Sequence, residues 1–221
     1  MFSSIKYNLR LYLFNIQKSK LFSWLFKHIE YHNFPFQEFQ PLSNRANEKI
    51  AEYCKYFEDN SVNYVVSWGT ALGLYRDGCI IPHDTDIDVD ILDYSNPSKI
   101  IHDFKGKGWI LGRYVSHKNQ YVARKKVQQL TFYDSDNIIY DMLLWYDTGC
   151  DIITNYSESK SKLRLQKKYY SSYEYRHISG FRFRFPKTTE NYLVELYGID
   201  WKIPKSEKGD WTDDCNIIDD I

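Results

Sequence analysis

The stretch HDTDIDVDILD, His83 to Asp93, constrains this chain more than any other. Aspartates fall at 84, 86, 88 and 90, with Ile87, Val89 and Ile91 between the later ones. Side chains two residues apart share one face of a β-strand. A regular strand here therefore places four carboxylates on one face and three branched aliphatic residues on the other. Aspartate is a poor strand former, and like charges about 7 Å apart repel. Four in register call for a cation or an extended acidic rim. Oxygen ligands suit a hard divalent ion, and magnesium takes two or three carboxylates together with phosphate oxygens. A calcium loop of the EF-hand kind needs Gly at its sixth position and Glu at its twelfth. Counted from Asp84 those positions hold Val89 and Ser95, and from Asp86 they hold Ile91 and Pro97, so both registers fail.

About fifteen residues upstream lies SWGTALGLYR. It sets Gly69 and Thr70 between a short apolar strand, YVVSW, and a helix. Amides at a helix N-terminus bind anions, and glycine lets the backbone come close to a phosphate. Arg76, two turns on, is a candidate to reach the same anion. Phosphate-gripping amides followed by a D-x-D strand make one phosphate-plus-metal site and point to phosphoryl-transfer chemistry.

The rest of the chain reads as a mixture of strands and helices. Residues 45–57 carry a helical stripe of Ala46, Ile50, Tyr53, Cys54 and Phe57, with Ser43 or Asn44 as its cap. NPSKIIHDFKGKG is a helix with Pro97 at its start and Gly106 or Gly108 at its end. WILGRYV, QYVARKK, QQLTFYD and IIYDMLLWYD read as successive strands, with a hairpin turn at Ser135 to Asn137. FRFRF alternates Arg182 and Arg184 against Phe181, Phe183 and Phe185. TTENYLVELYG is a helix ending at Gly198. Strands in runs, with helices between, predict an α+β domain around a mixed β-sheet flanked by helices.

The 221 residues suit one generous domain. Its expected extent is 41–221, preceded by an N-terminal amphipathic helix and connector over 1–40. That helix mixes Leu, Phe, Trp and Ile with Lys6, Arg10, Lys18, Lys20 and Lys27. Such a helix lies on an anionic membrane surface or packs its apolar side on the domain, and residues 1–30 leave both readings open. No run of 18 apolar residues marks a membrane span. With a net charge of zero, no nucleic-acid partner is expected. Four scattered cysteines without a C-x-x-C pair fit reduced thiols. The expected location is cytoplasmic, with peripheral attachment to a membrane surface as the open addition.

GTALGLYRDGCIIPHDTDIDVDI resembles the core motif of the LicD and fukutin group of the nucleotidyltransferase superfamily. FPKTTENYLVELYGIDWKIP, with Tyr197, Gly198 and Trp201, is similar to the segment that closes their domain. The resemblance spans roughly residues 44–211. It implies a nucleotidyltransferase-like sheet in which two carboxylates of one strand and a third on a neighbouring strand bind Mg2+ or Mn2+. It also implies transfer of a phospho-alcohol, such as phosphocholine or ribitol phosphate, from a CDP-linked donor to a hydroxyl of a carbohydrate acceptor. Asp86 and Asp88 match the metal pair, and Asp84 matches an acidic position before it. His83 and Thr85 depart from the Trp and Asp of bacterial members, which bears on the donor. Asp141, isolated within an apolar strand, is costly there unless paired or metal-bound. It is the choice for the third carboxylate, as metal ligand or as acceptor of the proton, ahead of Asp134 and Asp147 near strand ends.

His83, Asp84, Arg182 and Arg184 complete the candidates for substrate contact. The two arginines suit donor phosphate or an acidic acceptor, or else a solvated strand face. Arg164, Lys167 and Lys168 suit a lid over the nucleotide or an exposed basic helix. Two alternatives to the transfer reading stand. One is a nucleotidyltransferase that uses a nucleoside triphosphate to activate a sugar phosphate or similar acceptor. The other is a non-catalytic scaffold that binds nucleotide or glycan.

Overall fold

The computed structural model describes residues 11–17, 19, 28–34, 42, 46–119, 122–156, 161–204 and 217–218. The expected cap at Ser43 or Asn44, Trp211, the tail acids Asp213, Asp214, Asp219 and Asp220, and the basic residues of the N-terminal segment lie outside the described residues.

Residues 11–17 are helical (α1). Phe14 is buried against Tyr31 and Tyr114, with ring centroids 4.9 Å from each, while Tyr12 and Leu13 are exposed. The elements that follow are β1 (His28–His32), α2 (Ala46–Asp59), β2 (Tyr64–Val66), α3 (Trp68–Asp77), β3 (Asp86–Leu92), α4 (Pro97–Gly106), β4 (Ile110–Asn119), β5 (Val122–Tyr133) and β6 (Ile139–Asp147). After these come β7 (Asp151–Tyr156), β8 (Ser161–Gln166), β9 (Tyr173–Ile178), β10 (Phe181–Pro186), α5 (Thr189–Tyr197) and β11 (Ile217–Ile218).

Nine of these strands form one sheet, in the order β1-β4-β5-β6-β7-β8-β11 with β3 beside β6 and β2 beside β3. The β3–β6 pair is parallel and the other pairs are antiparallel, so the sheet is mixed and the domain is α+β. β9 and β10 form a separate hairpin, turned by Ser179 and Gly180 at φ 52° and 83°. Gly180 suits that left-handed backbone because it has no Cβ.

The alternation in β3 decides how the sheet is buried. Ile87, Val89 and Ile91 are at most 1% exposed, while Asp86, Asp88 and Asp90 take the other face. In α2 the predicted stripe becomes the buried side: Ala46, Ile50, Tyr53, Cys54 and Phe57 are all in the core. Tyr53 and Phe57 meet α4 through Phe104, and Phe104 meets Phe132 of β5 at 5.1 Å. Trp109 stacks on Tyr140 at 4.1 Å. Much of the high aromatic content is thus an interlocked core, where edge and tilted pairs add to area burial. Trp201 is buried and anchors the segment after α5 against Tyr75.

Three segments differ from the sequence expectation. His28–His32, read as the end of the N-terminal helix and the start of the connector, is an edge strand paired with β4, so the sheet reaches into residues 1–40. The described part of QYVARKK and QQLTFYD up to Tyr133, joined through Val127, lie on one strand, β5, whose pairing with β4 shifts register at Gln128. Arg164 lies on β8, and Lys167 and Lys168 lie in a 3-10 turn, not on a basic helix. There Lys167 is ion-paired with Asp147.

Candidate metal centre

The parallel register of β3 and β6 sets Asp88 beside Asp141. One carboxylate oxygen from each of Asp86, Asp88 and Asp141 lies within 4.8 Å of the other two. That matches the span of about 4 to 5 Å across the coordination sphere of a magnesium or calcium ion. Hard, anionic oxygens are the donor set such an ion takes, so the residues present fit a divalent cation.

The strand partners continue the row. Asp141 pairs with Thr131 of β5, and Thr131 pairs with Arg113 of β4. Asp88, Asp141, Thr131 and Arg113 therefore cross four strands side by side. The buried Asp141 carboxylate accepts from Thr131 Oγ1 at 2.7 Å, Gln129 Nε2 at 2.9 Å and its neighbour's amide, Met142 N, at 3.0 Å. Arg113 Nη1 stands 4.0 Å from it. These contacts set the carboxylate's direction before anything binds. Burial raises the Asp141 pKa above the ordinary carboxylate range, with Arg113 and the Thr131 bond pulling the other way. Asp88 is pushed up further, first by burial and then by Asp86, Asp84, Asp141 and Asp90 around it. Four carboxylates crowding a fifth is a site that demands positive charge.

The turn from β2 into α3 forms the opposite wall. A Cβ on Gly69 would stand 2.7 Å from Asp84 Oδ2 and 3.8 Å from Asp88 Oδ2. Glycine is needed there for close approach of carboxylates, a reason distinct from the phosphate contact expected of it. The Thr70 hydroxyl accepts the Asp88 amide at 2.9 Å and ties the helix to the acidic strand. Trp68 lies at φ 47°, a left-handed conformation that a bulky residue adopts only when its surroundings hold it. The holding groups are visible. Tyr192 OH accepts the Trp68 amide at 3.1 Å, and Trp68 Nε1 donates to Asp90 Oδ1 at 3.2 Å. Tyr170 OH donates to the other Asp90 oxygen at 2.5 Å. Asp90 is 1% exposed, and burial pushes its pKa up to about 6 despite those hydrogen bonds. It is the buried support of the turn that carries Gly69, and not part of a solvated rim.

Asp84 precedes β3, with Oδ1 on the Thr85 amide at 3.0 Å and Oδ2 against Gly69. His83 is exposed in the turn before it. Arg76 is not brought to the site. It lies in the last turn of α3, roughly 10 Å along the helix axis from Gly69, and its guanidinium pairs with Asp77 at 2.7 Å. Arg182 and Arg184 are also elsewhere. Arg184 bonds Asn63, which precedes β2, so it sits at the end of β2 remote from Ser67 and Gly69. That is about 13 Å away at strand rise, so the fold does not bring Arg184 to the triad. Asp134 and Asp147 serve turns. Asp134 accepts the amides of Asp136 and Ile138, and Asp147 accepts that of Gly149.

Sequence reasoning missed Arg113, Gln129 and Thr131, and left the role of Asp90 open. A signal existed for the first two: a lone arginine inside WILGRYV and paired glutamines opening QQLTFYD are polar interruptions of apolar strands.

Among the described residues, no helix is long and apolar enough to cross a membrane.

Comparison with known proteins adds a family. Two curated relatives are Ribitol-5-phosphate transferase FKTN of Mus musculus and of Homo sapiens. They are 24% identical over 162 residues and 25% identical over 161 residues. Each alignment covers 72% of this chain, and the chain spans about a third of either relative, 34% and 33%. Among solved structures, the lincosamide antibiotic adenylyltransferase LnuA with lincomycin bound aligns at a TM-score of 0.46 and 13% identity. That alignment covers 69% of this chain and 87% of that one. A family model described as LicD/FKTN/FKRP, nucleotidyltransferase domain, matches residues 61–188. That is more than half of the chain, and it contains the acidic strand, Asp141 and the Gly69 turn: the chain belongs to the LicD/FKTN/FKRP family.

Proposed function

We propose that the chain is a metal-dependent transferase that moves a substituted phosphate, such as a polyol phosphate or phosphocholine, from a CDP-activated donor to a glycan hydroxyl. The observation that carries the proposal is the convergence of Asp86, Asp88 and Asp141 beside the N-terminus of α3. Family membership and the likeness to ribitol-5-phosphate transferases support the substituted phosphate as cargo.

Asp86, Asp88 and Asp141 are the residues that would hold Mg2+ or Mn2+. When bound, that ion offsets the negative charge of a diphosphate and of the leaving nucleotide. The chain's own residues do the remaining work. Thr131 and Gln129 hold Asp141 in place. Thr70 locks β3 against α3, so that Asp88 keeps its distance from Gly69. The amides of Gly69 and Thr70 at the start of α3 lack intrahelical acceptors by their position and present the positive end of the helix to a phosphate oxygen. Arg113 lends the buried end of the row positive charge. Fixed dipoles and charges of this kind stabilise developing charge without reorganising.

A transfer assay with CDP-ribitol, CDP-glycerol and CDP-choline, with magnesium or manganese against chelator, tests the proposal. Release of CMP that needs the cation and disappears in Asp88→Asn and Asp141→Asn is the expected result. Undiminished release in either variant would overturn it. The description of the matched domain as a nucleotidyltransferase favours one second reading, activation of an acceptor by a nucleoside triphosphate. Pyrophosphate release from a triphosphate would mark that reaction instead. Biological activity that survives loss of Asp86 and Asp88 would mark a non-catalytic scaffold.

A further inference from the structure

The two arginines that the fold carries away from the triad line a groove of their own. Its walls are Glu58, Ser61, Val62, Asn63, Tyr175, Arg182 and Arg184, and its volume is about 410 Å³. Arg184 is 9% exposed. One of its terminal nitrogens bonds Asn63 Oδ1, and its guanidinium lies 3.5 Å over the Tyr173 ring. Its Nε–H is buried and has no acceptor among the described residues. A buried donor in that state costs stability unless something supplies an acceptor. Arg182 is half-exposed, stacks over Tyr175 at 4.2 Å and meets Glu58 Oε2 at 3.1 Å. The groove thus sets two guanidiniums against one carboxylate. Stacking on tyrosine pre-orients both guanidiniums, which are forks that match oxyanions.

We propose that this groove binds an oxyanion, a phosphate or a carboxylate borne on the acceptor carbohydrate, at a site separate from the carboxylate triad. The carbohydrate part rests on the transfer reading of the triad; the oxyanion part rests on the groove alone. Glu58 is the internal competitor. It accepts from Tyr64 OH at 3.1 Å with one oxygen and from Arg182 with the other. An incoming oxyanion takes its place on Arg182.

The test titrates the full chain in chelator with glucose 6-phosphate, glucuronate and uncharged glucose, read by calorimetry. Without a divalent ion the triad repels anions, so the groove is what the titration reads. Saturable binding of either anion but not of glucose is expected, and the tighter anion identifies phosphate or carboxylate as the preferred group. Arg182→Ala, at a half-exposed position, should weaken binding by about tenfold. Glu58→Gln should tighten it severalfold by freeing Arg182, and Asp88→Asn should leave it unchanged. Equal affinity in wild type and Arg182→Ala, or binding of glucose as tight as that of the anions, would overturn the proposal. Should Asp88→Asn retain full transfer activity, the transfer reading falls while the groove's anion affinity is judged by its own titration.

Discussion

Asp88 and Asp141 are direct neighbours across parallel strands, residue for residue in the β3–β6 register. Asp141 is buried and Asp88 half-buried, both have raised pKa values, and they stand where the chain needs a cation or a proton.

Removing one of those charges should therefore separate stability from activity. Asp88→Asn relieves repulsion among five carboxylates and should raise the cation-free melting temperature by a few degrees, of the order that about 1 kcal/mol produces. The same change should abolish the melting shift that magnesium or manganese gives and lower transfer by roughly a hundredfold or more. Differential scanning fluorimetry with and without the ion, beside the CMP-release assay, checks both halves.

Asp90 gives a pH dependence with a definite sign. Its folded pKa, about 6, lies above the ordinary 3.8, so the native state binds the proton more tightly than the unfolded chain. Stability is then greatest below pH 4, falls as pH rises from 4 through 6, and loses no more above that. The loss for this one group is about 3 kcal/mol. Urea unfolding in chelator from pH 4.5 to 7.5 should show that decline in the wild type. The Asp90→Asn curve should be flatter, with a residual slope of the same sign from Asp88 and Asp141. Parallel curves would contradict the assignment.

Two glycines of α3 should behave differently when replaced by alanine. At Gly69 the nearest atom to a new Cβ is the end of a side chain, Asp84 Oδ2. Gly69→Ala should hold its melting temperature within a few degrees, since alanine also favours the helix, yet lose tenfold or more in transfer. At Gly73 the nearest atoms are backbone, Cys79 O at 2.7 Å and Ile81 N at 2.8 Å. Gly73→Ala should cost about 2 kcal/mol or more, as overpacking does. Thermal unfolding and CMP release on the pair make the comparison.

Cys54 is 2% exposed, and burial pushes its thiol up to about 12. It should resist a thiolate-directed reagent at pH 8 in the folded chain and react once urea unfolds it. Exposed Cys79 and Cys150 should be labelled at once. Mass spectrometry of tryptic peptides over a time course reads the order.

The local pattern of this sequence determined a good deal. The two-residue period of HDTDIDVDILD made β3 and put carboxylates on one face, because a strand has no other way to bury Ile87, Val89 and Ile91 together. The stripe in residues 45–57, Pro97 and Gly198 marked helices by spacing and capping, which are properties of neighbouring residues. An isolated aspartate in IIYDMLLWYD was conspicuous for the cost of burying it. Tertiary structure alone decided the rest. Strand register, set by long-range pairing, aligned Asp141 with Asp88 and brought in Thr131 and Arg113 from strands ten and twenty-eight positions away in the chain. It also turned Asp90, identical in the sequence pattern to its neighbours, into a buried prop, since Trp68 and Tyr170 reach it from distant parts of the chain while Tyr192 holds the Trp68 amide. Arg182 and Arg184 announced a charged strand face, but only the packing of the β9–β10 hairpin beside Asn63 and Glu58 determined which end of the sheet that face serves. Spacing along a chain orients side chains within one element; where elements meet is settled by the burial of their apolar faces, and function here sits at those meetings.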